Sequence, residues 1–204
     1  MDTRDQALLS ALTLKIRLVS VAQAARGWWD GDASSVARRA EFLAAEGWLC
    51  RDAVTAHPEL ELPEPLLVWE PGDREPRFGS LAYRAAERFE DRSEQVVILR
   101  ATRKAARLFG GEPGVLKLPS VTHDVQLAGL YLRFLRDRPA DAANWVSEGV
   151  LAASREREVL PDAAVTDDAG DVRRVIEFVG RYPPERLRRL HDDCVSRDLP
   201  YELW

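Results

Sequence analysis

The sequence predicts an α+β protein, and three observations lead there. Apolar residues recur at helical spacing in the amino-terminal part, at Ala7, Leu8 and Leu12 and again at Val36, Ala40 and Leu43. Short apolar runs of strand length follow, among them Trp48 to Thr55, Gln95 to Leu99 and Ile176-Glu177-Phe178. A tight turn at Ala169-Gly170 then joins two such runs as a hairpin, so at least part of the sheet is antiparallel.

The elements follow in a readable order. Residues 4 to 14 form an apolar-periodic helix, and Ile16-Arg17-Leu18-Val19 reads as a short strand. Ser20 caps a second helix, from Val21 to about Trp28, which stops at Trp29-Asp30-Gly31-Asp32. Ser34 or Ser35 caps a third, which runs to Glu46 with Gly47 at its carboxyl end. Trp48 to Thr55 and Leu66 to Glu70 then make two strands joined by a Pro-rich segment from His57 to Pro65. Helix, strand, helix, turn, helix and a strand pair is the order of a winged helix-turn-helix, expected over residues 1–78. In such a module the third helix enters the major groove, and its outer face would present Ser35, Arg38 and Arg39 to DNA. The expected wing is acidic at Glu59, Glu61 and Glu64, which leaves open a scaffold used for dimerisation or partner binding.

Residues 79–118 read as a bridge: a helix from about Ser80 to Phe89, the strand Gln95 to Leu99, a basic helix from Thr102 to Phe109, and the Gly110-Gly111-Glu112-Pro113-Gly114 linker. The net charge of −5 disfavours a protein that coats nucleic acid through overall charge. Both flanks of the chain are acidic and the bridge is basic, so a phosphate-binding surface is expected to involve Arg100, Arg103, Lys104, Arg107 and Lys117, with ordinary solvated charges on an amphipathic helix as the alternative. With 204 residues, 46% of them hydrophobic, the chain has enough apolar material for two small cores. Residues 119–204 are the expected second domain, opening with a long helix capped by Thr122 and striped by Val125, Ala128, Tyr131 and Leu132 or Leu135.

The hairpin concentrates chemistry. A two-residue loop pairs Asp168 with Asp171, and counting outward sets Asp162 opposite Glu177 on one face of the sheet. Two carboxylates so placed repel unless a cation or a shared proton relieves them, which points to a divalent metal held by Asp162 and Glu177. Glu148, near the end of a helical segment, offers a third carboxylate. The bland alternative has Asp162 accepting backbone hydrogens near a strand end and Glu177 pairing with Arg181 or Arg186. His191-Asp192-Asp193-Cys194 is no metal site, because consecutive helical residues splay around the axis.

An acid on a helix, Pro161-Asp162 on one strand and Glu177 on the next resemble the PD-(D/E)xK nuclease core. Together with Thr122-His123-Asp124, Trp145-Val146-Ser147-Glu148 and Pro161-Asp162-Ala163, they make the chain resemble bacterial plasmid replication-relaxation proteins. That resemblance implies an amino-terminal winged helix, a carboxyl-terminal restriction-endonuclease-like domain, double-stranded DNA as partner, and Glu148, Asp162 and Glu177 as catalytic positions with Mg²⁺ as cofactor if the site is active. The nuclease motif has a lysine two residues after the strand acid. Here Val179 stands there, and the three lysines are Lys15, Lys104 and Lys117. Arg181, Arg186 or Arg189 would have to substitute, and with a pKa above about 12 arginine is a poor proton acceptor.

Three functions follow as expectations. The first is a DNA-binding protein of plasmid replication, maintenance or regulation with a degenerate nuclease-like domain. The second is a Mg²⁺-dependent endonuclease using Asp162, Glu177, Glu148 and Arg181. The third is an antitoxin-like or other protein-interaction component. Cys50 and Cys194 are too few for a disulfide framework, and the first residues, Met1-Asp2-Thr3-Arg4-Asp5, are unlike a basic signal-peptide start. No apolar run reaches the roughly eighteen residues of a membrane helix, so a cytoplasmic protein without a membrane partner is expected. An exposed tryptophan among the six would mark a homodimer face.

Overall fold

The computed structural model describes residues 1–89, 92–152 and 159–204 and has a mixed α+β architecture. Two compact units divide the chain, and both are discontinuous: Met1–Glu59 with Ser93–Pro139, and Leu60–Arg92 with Ala140–Trp204. The first unit opens with α1 (Thr3–Leu14), β1 (Val19–Ser20), α2 (Val21–Trp28), α3 (Ala33–Ala45) and β2 (Leu49–Ala56). The chain then enters the second unit for β3 (Leu67–Trp69) and α4 (Phe78–Glu87), and returns to the first for β4 (Glu94–Ala101), α5 (Arg103–Phe109) and α6 (Val121–Asp137). The short α7 (Pro139–Ala143) leads back to the second unit, which finishes with β5 (Trp145–Ser147), α8 (Glu148–Ala152), β6 (Ala163–Thr166), β7 (Val172–Glu177), α9 (Pro184–Ser196) and β8 (Tyr201–Leu203).

This division replaces the contiguous domains expected at 1–78, 79–118 and 119–204. The physical reason is strand pairing. β2 runs antiparallel to β4 in unbroken register from Leu49↔Ala101 to Ala56↔Glu94, and β1 joins the other edge of β4. The strand at Leu66 to Glu70, expected to pair with β2, is β3 and pairs with β8 instead. A three-residue strand carries little pairing information of its own, and Trp69, stacked on Tyr201 at 5.3 Å between ring centroids, selects the partner.

Local chemistry sets the helix ends of the first unit. Asp2 and Asp5 form a capping box on α1, and Ser20 and Gln23 form another on α2. The cap of α3 is Asp32 and not Ser34 or Ser35, because the Asp32 carboxylate accepts the Ser35 N–H at 2.9 Å. At the other end of α3, Gly47 with φ +75° donates to the Ala44 carbonyl while Trp48 donates to that of Leu43, a Schellman closure. On the sheet, Leu18, Val54, Ala56 and Ile98 pack with Val121 and Val125, so α6 belongs to this core and does not open the second domain. Thr122 does not cap it: α6 follows a 3-10 turn at Leu118–Ser120, and the Thr122 hydroxyl accepts the His57 N–H at 3.1 Å.

The second unit is a five-stranded sheet in the order β3-β8-β7-β6-β5. Its neighbours are antiparallel except β7 and β8, which run parallel because α9 crosses between them. Trp69, Phe78, Leu81, Ala85, Val175, Val179, Leu187, Leu190, Tyr201 and Leu203 form its core, with α4 and α9 packed together. The β6–β7 turn is longer than the expected two-residue loop. Gly170, at φ +89°, donates to the Asp167 carbonyl, Asp167 donates to that of Asp171, and the Asp167 carboxylate accepts the N–H groups of Ala169 and Asp171. A bulge between Val165 and Thr166 then shifts the pairing back, so the register at Ala163↔Ile176 agrees with the one the sequence count assumed. Among the described residues no helix is long and apolar enough to cross a membrane.

Candidate functional site

In the first unit, α2 and α3 are joined by the turn Trp29–Asp32, which holds two positive-φ residues, Asp30 and Gly31. Val36, Ala40 and Leu43 are buried, which leaves Arg38, Glu41 and Phe42 outward. Ser35 is not a free reader of a ligand. Its hydroxyl bonds the Asp32 carboxylate at 2.6 Å and accepts from Arg38 Nη2 at 3.1 Å. That chain holds the Asp32 carboxyl below its ordinary range, chiefly through the Ser35 hydrogen bonds, and positions Arg38 on the exposed face.

Arg39, expected beside Arg38 as a DNA contact, turns the other way. Its Nε donates to Asp5 Oδ1 at 2.7 Å and its Nη2 pairs with Asp5 Oδ2, while its guanidinium lies 4.6 Å from the Phe42 ring centroid. Asp5 is fully buried. Burial pushes its carboxyl up, but hydrogen bonds from Arg39 and the Asp2 N–H outweigh that and hold it below the usual range. Arg39 therefore ties α3 to α1. An open cleft of about 470 Å³ lies here, lined by Asp2, Arg4, Trp29, Ser35, Arg38, Arg39 and Phe42. Arg4, which the sequence reading passed over because α1 was read only for its apolar stripe, is half-exposed and pairs loosely with Asp30 at 3.3 Å.

The basic helix α5 divides likewise. Arg103 and Arg107 are exposed, whereas Lys104 donates to the Glu46 carbonyl at 2.6 Å and sits 3.9 Å from the Trp48 ring centroid. A cation on the last carbonyls of α3 is a favourable helix-end contact, so Lys104 serves α3. Glu59, one of the acids assigned to the wing, is engaged by Arg26 at 2.7 Å. Thr122-His123-Asp124 lies in this unit, where Asp124 faces Arg17 at 3.5 Å.

In the second unit, Asp162 and Glu177 adjoin at the end of the β6–β7 ladder, 6% and 3% exposed. Each carboxylate serves the other's strand: the Asp162 N–H donates to Glu177 Oε2 at 3.1 Å, and the Phe178 N–H donates to Asp162 Oδ2 at 2.8 Å. Arg186, from the first turn of α9, donates to Glu177 Oε1 at 3.2 Å with its guanidinium 3.7 Å from the Tyr182 ring centroid. Glu148 meets Asp162 through its backbone, its N–H donating to the Asp162 carbonyl at 2.9 Å. Burial, with the charges of Asp162 and Glu177, pushes the Tyr182 phenol far above its ordinary range.

These contacts do not fit a divalent ion. Asp162 and Glu177 each commit an oxygen to a backbone N–H, and Glu177 also faces a guanidinium that already supplies the compensating cation. Among the described residues no three His, Cys, Asp or Glu side chains converge as metal ligands. Arg181, the candidate substitute for the motif lysine, directs its Nη2 to the Phe89 carbonyl at 2.8 Å. Val179, at the lysine position, is buried in the core. His191 and Cys194 point into the core and Asp192 outward, the splay expected of that run. No family model, curated protein or solved structure matches the chain.

Proposed function

We propose that the protein binds double-stranded DNA through the outward face of α3, and that its second unit is a nuclease-like fold retained as a non-catalytic platform. The observation that carries this reading is the fate of the acidic pair. Where a nuclease would present carboxylates to a metal, Asp162 and Glu177 are buried and spent on backbone N–H groups and Arg186. The order of β1, α2, α3, β2 and β4 supports a winged helix-turn-helix whose wing is replaced by the excursion through β3 and α4. Three antiparallel strands, a crossover helix and a parallel strand, β5-β6-β7-α9-β8, support the nuclease-like reading. That pairing of folds is the one implied by the resemblance to replication-relaxation proteins, and plasmid maintenance or regulation is the setting it suggests.

Arg38 on α3 and Arg4 on α1 both line the cleft and are suited to phosphate or guanine edges. The test is duplex binding by fluorescence anisotropy at two salt concentrations, alongside a nicking assay with Mg²⁺ or Mn²⁺. Binding weakened by Arg38→Ala, with the DNA left intact, is expected. Nicking that disappears in Glu177→Ala would overturn the platform reading. Phe42, 48% exposed on the same outward face, favours a second reading in which α3 docks a protein. Duplex binding indifferent to Arg38→Ala and Arg4→Ala would select it.

A further inference from the structure

The cleft beside α3 has the size and the lining of a small-molecule site, which contact between a helix face and a duplex does not require. Its volume of about 470 Å³ is that of an ordinary ligand pocket. Three elements build it: Arg4 comes from the first turn of α1, Trp29 from the turn before α3, and Ser35, Arg38, Arg39 and Phe42 from α3. Arg4, Arg38 and Phe42 are all exposed, so a dissolved molecule reaches the cleft. Trp29, 6% exposed, is a fixed wall. The charges are unequally committed. Asp5 takes Arg39, whose guanidinium lies 4.6 Å from the Phe42 ring centroid and holds that ring in place. Asp2, also on the lining, caps α1 by accepting the Asp5 N–H at 2.9 Å, and Asp32 caps α3, so both carboxylates face the positive end of a helix. Arg38 and Arg4 are looser. Arg38 spends Nη2 on the neutral Ser35 hydroxyl, and Arg4 meets Asp30, whose side chain is 90% exposed, at 3.3 Å. An ion pair that wet contributes little, so exchanging Asp30 for the oxygens of a ligand costs little.

We propose that this cleft binds a nucleotide-like anion, a planar aromatic ring carrying a phosphate, and that its occupancy displaces duplex DNA from α3. The phosphate oxygens match the guanidinium forks of Arg38 and Arg4, and the ring packs on the aromatic surface that Phe42 and Trp29 supply. Both halves of the ligand therefore have a counterpart in one cavity. Arg38 and Arg4 are also the side chains suited to the duplex, and they cannot serve both at once. By linkage, ligand and duplex each weaken the other by the same factor. The displacement rests on the α3 reading of function, whereas the ligand site stands without it.

The experiment uses the full chain and adenosine 5′-monophosphate (AMP) as the probe. Adenosine and inorganic phosphate, which carry only the ring or only the oxyanion, are the controls at matched ionic strength. Thermal unfolding is followed against concentration, and the midpoint should rise by about 5 °C at AMP roughly a hundredfold above its Kd and by less in either control. Arg38→Ala and Arg4→Ala change exposed residues and should each lower AMP affinity about tenfold. Phe42→Ala should weaken the response to AMP and leave the response to inorganic phosphate as it was. A response to AMP no larger than that to phosphate, or one that survives Arg38→Ala unchanged, overturns the site. Duplex anisotropy titrated with AMP tests the displacement: duplex released by AMP and not by adenosine or phosphate supports it, and duplex retained at saturating AMP overturns it. Wild-type protein that takes AMP and binds no duplex overturns the α3 reading and leaves the ligand site standing.

Discussion

Adjacent arginines on α3 have opposite fates, and the difference is whether a buried carboxylate lies within reach. Arg39 neutralises Asp5, which has no access to water, so Arg39→Ala leaves an unpaired buried charge and should cost about 3 kcal/mol, read as a lowered denaturant midpoint. Arg38 is solvent-facing and oriented by Ser35, so Arg38→Ala should leave that midpoint within about 0.5 kcal/mol and weaken duplex binding by about 1–2 kcal/mol. The same logic applies to Glu177. Its removal strands the buried Asp162 N–H and removes the partner of Arg186, so Glu177→Ala should lower stability by about 2 kcal/mol, and Mg²⁺ should raise the midpoint of neither wild type nor variant. A midpoint that climbs with Mg²⁺ in the wild type alone would restore the metal reading.

At the scale of elements, α9 docks on the second sheet partly through His191. Its Nδ1 lies 3.0 Å from the Tyr201 hydroxyl, its ring meets the edge of Trp69 at 5.0 Å, and Phe78 lies against it at 5.4 Å. Burial lowers its pKa, the charges of Asp192 and Glu75 oppose that, and Arg188 reinforces it. With the folded pKa below the unfolded value of about 6.5, the unfolded chain takes up the proton first. Stability is therefore full above about pH 6.5 and is lost as pH falls toward the folded pKa. His191→Gln should flatten that decline between pH 7 and 5 in thermal unfolding, and an unaltered slope would remove His191 from the account.

At the scale of the whole molecule, each unit is completed by a segment distant in sequence. Residues 1–78 lack β4, the central strand of their own sheet, so that fragment should not unfold cooperatively by circular dichroism. Ala56 and Glu94 face each other at the end of the β2–β4 ladder, so joining them by a short Asn-Gly turn in a chain ending at Pro139 should close the first unit and restore a cooperative transition. A cooperative transition in residues 1–78 alone would refute the discontinuous unit.

The sequence by itself determined the local features. Capping at Ser20, the glycine end of α3, the hairpin near Gly170 and the pairing of Asp162 with Glu177 all follow from residues close along the chain or joined by one turn. Only the tertiary structure decided what those features were for. That β4 and not β3 completes the first sheet, that Arg39 answers Asp5, and that Arg186 pairs with Glu177 depend on groups brought together from afar. A carboxylate pair looks the same in sequence whether a cation or an arginine balances it. Burial, which sets the cost of leaving it unbalanced, exists only once the chain has folded.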